Sequence, residues 1–313
     1  MSTPNPLPVV AAVDGSDDSA RALDWALGEA LRRGTGLRVL HVRQYAPALQ
    51  PGVLVAGTEP PPDEDRVIEA VRADLAGRAD LPPVEYVSRE GLPADLLPQE
   101  SAQAQILVMG SRGRGGFASL VLGSNGIATA RDAHCPVVVV PRPDRGVASD
   151  APVPDGRRVV VGLKPDAPDA DTLEHAFAHA ARSGARVQVV VAYPWPVLAW
   201  SAFGDFTPTV QDQEAAERET LALANEQTEA LRTAHPGVAV ELHVAPGDAA
   251  GHLVDASREA ELVVVGRHRR RLTRPAPMLG SVTHAVLLHA ASPVVVVPPA
   301  PEEPADDPGD GQG

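Results

Sequence analysis

Lysine is nearly missing from this chain: of 27 lysine and arginine residues only Lys164 is lysine, which we read as the codon bias of a GC-rich genome rather than as a functional trait. Cysteine is as scarce. Cys135 stands alone, so no internal disulfide can form, and its neighbour Pro136 brings no base to activate it. No G-x-S-x-G elbow occurs either, which leaves nucleophilic catalysis unsupported. A run of about 18 apolar residues and a signal peptide are both missing, so no membrane partner is expected and the cytoplasm is the expected address. A basic balance is absent too: net charge is −14 and the sequence pI is near 5.1, which argues against a nucleic-acid binder. At 313 residues and 32.6 kDa the chain is long enough for two domains, each with its own core.

What is present is glycine in a particular order. From Ile106 to Asn125 the sequence reads ILVMGSRGRGGFASLVLGSN, an apolar run ending at Gly110, glycines at Gly113, Gly115 and Gly116, and then Gly123-Ser124 opening a helix. The G-x2-G-x9-G-S spacing puts a loop between the carboxyl end of a strand and the amino end of a helix, where unpaired backbone N–H groups face an incoming anion. A P-loop would need G-x-x-x-x-G-K-[ST], and the stretch holds no lysine. A dinucleotide fingerprint should follow the first strand of its unit, whereas this loop follows a late one, and Gly113-x-Gly115 lacks a correctly placed third glycine. The plain alternative is a turn whose glycines only supply positive φ.

Read in order, the chain alternates strands and helices. Val9 to Val13 is a short buried strand, and Ser16 caps a helix whose stripe is Leu23, Leu27, Ala30 and Leu31 and whose stop is Gly34. Strands follow at Leu37 to Val42, Val84 to Val87, Ile106 to Met109 and Pro136 to Pro141, with helices from about Asp63 to Ala79, Pro93 to Ala104 and Asn125 to Ala133. Such alternation means parallel strands in a doubly wound sheet. After a linker from Arg142 to Asp155 the pattern restarts: Val159 to Leu163 answers the first strand, Leu173, Ala176, Phe177 and Ala180 form the next stripe, and Gly184 ends it. Glu90-Gly91-Leu92-Pro93-Ala94 is echoed by Pro246-Gly247-Asp248-Ala249-Ala250, and Gly110 by Gly266 at the same offset of 156. Leu122-Gly123-Ser124 returns as Leu279-Gly280-Ser281, and PVVVVP returns at Pro293 to Pro298. The chain is a tandem duplication with an acidic tail after Pro299 whose composition predicts disorder.

The Val13-Asp14-Gly15-Ser16 end of the first strand, the Met109-Gly110-Ser111-Arg112-Gly113 loop and the PVVVVP strand together resemble the ATP-binding class of the universal stress protein family, and the two copies resemble its tandem actinobacterial members. The resemblance implies two tandem doubly wound α/β domains of the adenine nucleotide alpha hydrolase-like type, each with a five-stranded, mainly parallel sheet. The expected bounds are 1–145 for an ATP-binding domain, 155–300 for a degenerate copy and 301–313 for the tail. ATP, with or without Mg, would lie between the first and fourth strands. Asp14 would face the nucleoside, Val42 the adenine, and Gly110, Gly113, Gly123 and Ser124 the phosphates, with Gly15, Ser16, Met109, Arg112 and Asn125 as further members of the site. Asn125 stands where many members have valine. The implied function is a nucleotide-dependent regulator of the stress response with little catalytic power; the rivals are an α/β ATP-using enzyme, by adenylyl transfer or slow hydrolysis, and a scaffold with neither site occupied. The partner set is ATP and a pseudo-dimer of the two domains, with or without a further homodimer.

The residues carry their own readings beside the resemblance. Asp14 sits where open α/β sheets bind ligands, and its carboxylate can accept from ribose hydroxyls, although a turn or cap role is the alternative. Arg112 and Arg114 can face a triphosphate or solvent equally. The second copy carries Lys164 for Asp14 and Arg269 for Gly113, substitutions expected to spoil its cradle, and its loop from Arg267 to Arg271 reads as a solvated charge run rather than an anion site. His175 and His179 have the i, i+4 spacing of a helical metal pair, yet they fall off the Leu173/Phe177 stripe and no third ligand is evident. Tyr193, Trp195, Trp200, Phe203 and Phe206 are half of the ten aromatics and suggest a lid over the second cleft or a partner patch, with the lid preferred. Finally, each PVVVVP strand should be the edge of its own sheet, and the two should pair antiparallel, bringing Val138 close to Val296.

Overall fold

The computed structural model describes residues 6–44, 65–113, 122–143, 157–193, 209–267 and 279–300. The first half runs β1 (Val9–Val13), α1 (Asp17–Arg33), β2 (Leu37–Arg43), α2 (Arg66–Ala76), β3 (Val84–Glu90), α3 (Pro93–Ser101), β4 (Ile106–Gly110), α4 (Ser124–Asp132) and β5 (Val137–Val140). The second half repeats it as β6 (Arg158–Gly162), α5 (Ala170–Ser183), β7 (Arg186–Tyr193), α6 (Val210–Ala234), β8 (Val240–Pro246), α7 (Ala249–Ala256), β9 (Leu262–Gly266), α8 (Ser281–His289) and β10 (Val294–Val297).

Local chemistry sets the ends of these elements. Ser16 Oγ accepts from the Ser19 N–H at 3.2 Å and starts α1, and Gly34, at φ +62°, ends it in the left-handed conformation that glycine adopts without penalty. Asp65 caps α2 through the N–H groups of Val67 and Ile68, so that helix begins at Arg66. The third helix stops at Ser101, short of the expected Ala104, because its last N–H groups turn back in three-residue steps: Ala102 to Gln99, Gln103 to Glu100 and Ala104 to Ser101.

The strands form one sheet in the order β3-β2-β1-β4-β5-β10-β9-β6-β7-β8. All neighbours are parallel except β5 and β10, which are antiparallel. The PVVVVP strands therefore pair, and they lie at the centre of a ten-stranded sheet rather than at its margin. Their register departs from the expected one by a residue: Val138 faces Val295, and Val296 faces Val137. Strands buried on both faces have to be apolar throughout, which is why β5 and β10 are plain valine runs. Helices α1, α2, α5 and α6 pack on one face of the sheet and α3, α4, α7 and α8 on the other, around two apolar clusters.

In each half the chain winds outward from the first strand and then crosses over it to lay down the fourth. The strand order thus reverses between β1 and β4, and again between β6 and β9. A crevice opens outside the carboxyl ends of the strands at such a reversal.

Candidate functional site

At the first crevice, β1 ends in a turn through Gly15 at φ +77°. The Asp14 carboxylate is oriented by its own loop, Oδ1 accepting from the Ser16 N–H at 3.0 Å and from Ser16 Oγ at 2.6 Å. Its other oxygen is directed at the glycine loop: a Cβ on Gly113 would lie 2.6 Å from Asp14 Oδ2. Asp14, Gly15, Ser16 and Gly113 are therefore brought together, and a side chain on Gly113 would displace the end of the Asp14 carboxylate. Gly110 has a different reason. A Cβ there would lie 2.7 Å from the carbonyl carbon and oxygen of Asp18, so the first turn of α1 rests directly on the end of β4.

Asp18 is the centre of a buried knot that sequence reasoning missed. Its side chain is 1% exposed and accepts from Arg21 at 2.5 Å, from Arg142 at 2.8 Å and from Ser111 Oγ at 3.1 Å. Burial works against its charge, but the hydrogen bonds and charges of Arg142 and Arg21 outweigh it and hold the carboxyl below the usual range. Ser111 in turn fastens the loop: its N–H donates to the Val140 carbonyl at 3.0 Å and its carbonyl accepts from the Gly123 N–H at 2.9 Å. Both ends of the 111–123 segment are thus tied at one residue. The only signal for Asp18 was its place in an acidic first turn, where a solvated charge complementing the helix dipole reads identically.

The amino end of α4 has the features of an anion cradle. Gly123 stands at the N-cap with no side-chain cap, at φ −74°, and among the described residues a Cβ there would meet the Ser111 oxygen at 3.9 Å and nothing nearer. Neither its φ nor its packing against the described residues requires glycine at this place. The first turn, Ser124 and Asn125, presents N–H groups that no helical carbonyl can reach. Val42 and Met109 are both buried in the apolar cluster on the α4 side of the sheet. Arg112 is partly buried at the loop entrance, while Arg114 lies outside the described residues.

The second crevice is built differently. Lys164 is exposed and pairs with Asp166 at 3.3 Å instead of turning to the strand ends. The loop to α5 is longer, and the helix is capped by Asp169, which accepts from the Thr172 N–H at 3.2 Å. A Cβ on Gly266 would collide with the Asp169 carboxylate and lie 2.7 Å from Thr172 Oγ1. Arg267 is half-buried and engaged rather than free in solvent. Its Nη1 donates to the carbonyls of Arg131 at 2.5 Å and Ala133 at 2.8 Å, at the carboxyl end of α4 in the other half. The rest of that basic run, including Arg269, lies outside the described residues.

His179 was expected away from the buried stripe, and it is 3% exposed. The reason is that α5 buries two faces, one on the sheet and one against α1. His175 is half-buried, and desolvation, reinforced by the Arg33 charge, pushes its pKa down to about 3. Among the described residues no group of His, Cys, Asp or Glu is arranged to hold a metal. Tyr193 is buried, and Trp195, Trp200, Phe203 and Phe206 lie outside the described residues. Among the described residues no helix is long and apolar enough to cross a membrane.

Comparison with known proteins agrees with this architecture. A universal stress protein of Mycobacterium tuberculosis is 32% identical over 302 residues, 92% of this chain and 96% of its own length. Another, of Mycolicibacterium smegmatis, is 29% identical over 297 residues, 93% of this chain and 97% of its own. Among solved structures, a universal stress protein from Archaeoglobus fulgidus superposes with a TM-score of 0.58 at 20% identity, covering 95% of this chain and 98% of that one, a likeness of fold. A protein of unknown function from Pseudomonas aeruginosa gives 0.62 at 17% identity, covering 94% and 93%. The model of the Universal stress protein family matches residues 7–141 and again 156–298, so the chain belongs to that family, in its two-domain form.

Proposed function

We propose that the first domain binds one ATP in the crevice between β1 and β4, and that the bound nucleotide biases the conformation or association of the whole chain. The observation that carries this reading is Gly123, a glycine that neither its φ nor any described neighbour requires, at the start of α4 where a phosphate would meet backbone N–H groups. Asp14, fixed by Ser16 beside Gly113, takes the ribose hydroxyls, and Val42 and Met109 supply the apolar side for the base. Ser124 and Asn125 complete the phosphate end, with Arg112 at the loop entrance. Magnesium, where the triphosphate brings it, would be held by the nucleotide rather than by a protein cage.

The second domain is read as a degenerate copy, because Lys164 is turned to Asp166 and the Asp169 carboxylate lies against the strand end where an anion would come. We place the domain bounds at 1–145 and 155–300, the two forming a pseudo-dimer through β5 and β10, and the address in the cytoplasm. A regulatory role is favoured over catalysis, since among the described residues of the crevice no base or arginine finger is placed to accelerate phosphoryl transfer. The test is calorimetry of the full chain with ATP. Binding that Gly123→Val abolishes without lowering the unfolding temperature supports the assignment; unchanged affinity in the variant removes it.

A further inference from the structure

A duplicated chain carries two nearly identical pairing edges, β5 and β10, and each could join its own copy in another molecule as readily as its sister. The helices flanking the junction differ where they meet. Glu29 on α1 and His179 on α5 occupy equivalent positions, each five residues before the glycine that ends its helix, Gly34 and Gly184. Glu29 is fully buried, and its Oε2 lies 3.6 Å from His179 Nδ1, an ion-pair separation across the two domains. A second pair of equivalents has diverged alongside them. Gln105, ahead of β4, accepts from Arg33 at 3.3 Å, whereas Glu261, ahead of β9, accepts from Ser183 at 2.6 Å and lies 3.5 Å from His179 Nε2.

We propose that this face of α1 and α5 is a recognition surface for the unlike half, and that Glu29 opposite His179 selects pairing of the first domain with the second over pairing of two first domains. Two first domains joined in the same way would bring Glu29 against Glu29, each keeping its own Arg32 and Arg33 but meeting a second carboxylate where His179 now stands, an unfavourable like-charge contact in an enclosed site. The unlike pairing places the His179 ring, an imidazolium when protonated, between the carboxylates of Glu29 and Glu261 instead. The charged groups around it are Glu29, Arg32 and Arg33 from α1, Arg182 from α5, and Glu261 with Arg157 from the second domain. Trp25 of α1 stacks on the His179 ring with centroids 6.3 Å apart, and desolvation with the Arg33 charge works against protonation of the half-buried His175.

The pH dependence follows from the same arrangement. Burial opposes the charge on His179, but Glu261 and Glu29 outweigh it and hold its pKa above the ordinary 6.5. Its contribution is therefore complete below about pH 6.5 and is lost as pH rises through the raised value. Burial also opposes the charge on Glu29, yet His179 and Arg33 drive its pKa far below 4.5, so its contribution is present above about pH 4.5 and lost only in strong acid.

The test is a charge-swap cycle in the full chain: wild type, Glu29→His, His179→Glu, and both together. Each is assayed by denaturation at pH 6 and by the yield of an intrachain disulfide between cysteines placed at Val138 and Val295, with Cys135→Ser. His179→Glu should lower the folding equilibrium and the crosslink yield, and the swap should exceed the additive expectation of the two single changes by at least about ten-fold in the folding equilibrium. A swap no better than additive overturns the proposal. Should His179→Glu not fold, Glu29→Gln decides: the fall in stability expected of the wild type as pH rises above about 6.5 must become shallower in the variant, and an unchanged slope overturns it.

Discussion

Three glycines at one end of the sheet are glycine for three different reasons, and each reason has its own experimental signature. Gly110 leaves room for the backbone of Asp18, so Gly110→Ala pushes α1 off β4 and should cost about 1–3 kcal/mol in urea unfolding. Gly113 leaves room for the Asp14 carboxylate. In Gly113→Ala that carboxylate is displaced, and ATP affinity should fall at least as far as in Asp14→Ala, as read by calorimetry at unchanged circular dichroism. Gly123 leaves room that no described residue fills, so Gly123→Val should keep its stability within about 1 kcal/mol while losing the ligand. Burial raises the Cys135 thiol to about 12, and thiol reagents at pH 8 should react only as fast as the protein unfolds. The glycine spacing was legible in the sequence because it is a property of order alone. The Asp18 knot was not, since Arg142 lies 124 residues away and only the fold brings it to Asp18.

At the scale of elements, α4 joins the two halves of the molecule. Its amino end is the candidate phosphate cradle, and its carboxyl end is capped by Arg267 from the second domain through two last-turn carbonyls. A cation at the carboxyl end of a helix and an anion at its amino end both oppose the helix dipole favourably. Arg267→Ala should therefore destabilise α4 by about 1–3 kcal/mol, visible as faster hydrogen exchange of the Thr129 to Ala133 amides. Exchange unchanged there would show the two bonds to be dispensable. The run Arg267 to Arg271 read as a solvated charge stretch, and its first member is instead a cap, because a row of arginines carries no signal of which one meets an orphan carbonyl. Helix starts were more legible: Ser16 announces its own cap by residue type, and the structure forms it.

For the molecule as a whole, alternation and duplication were enough to foresee two doubly wound domains, and proline at both ends of each valine strand was enough to foresee their pairing. The register was not legible. Four valines in a row pair equally well one residue out, since no alternation of polar and apolar side chains fixes the slip, and the flanking structure decides it. The unlike contact of Glu29 with His179 was hidden for a related reason: the helical stripe shows which residues face the sheet, and a second buried face against another helix leaves no separate mark. What joins these scales is a single claim, that the first crevice of a two-crevice molecule holds the nucleotide. The measurement that tests it most directly is calorimetric titration of the full chain with ATP, run side by side on the wild type and on Gly123→Val. The account predicts one ATP per chain in the wild type and none in the variant, and it is contradicted by two ATP per chain, by no binding in the wild type, or by binding that survives the substitution.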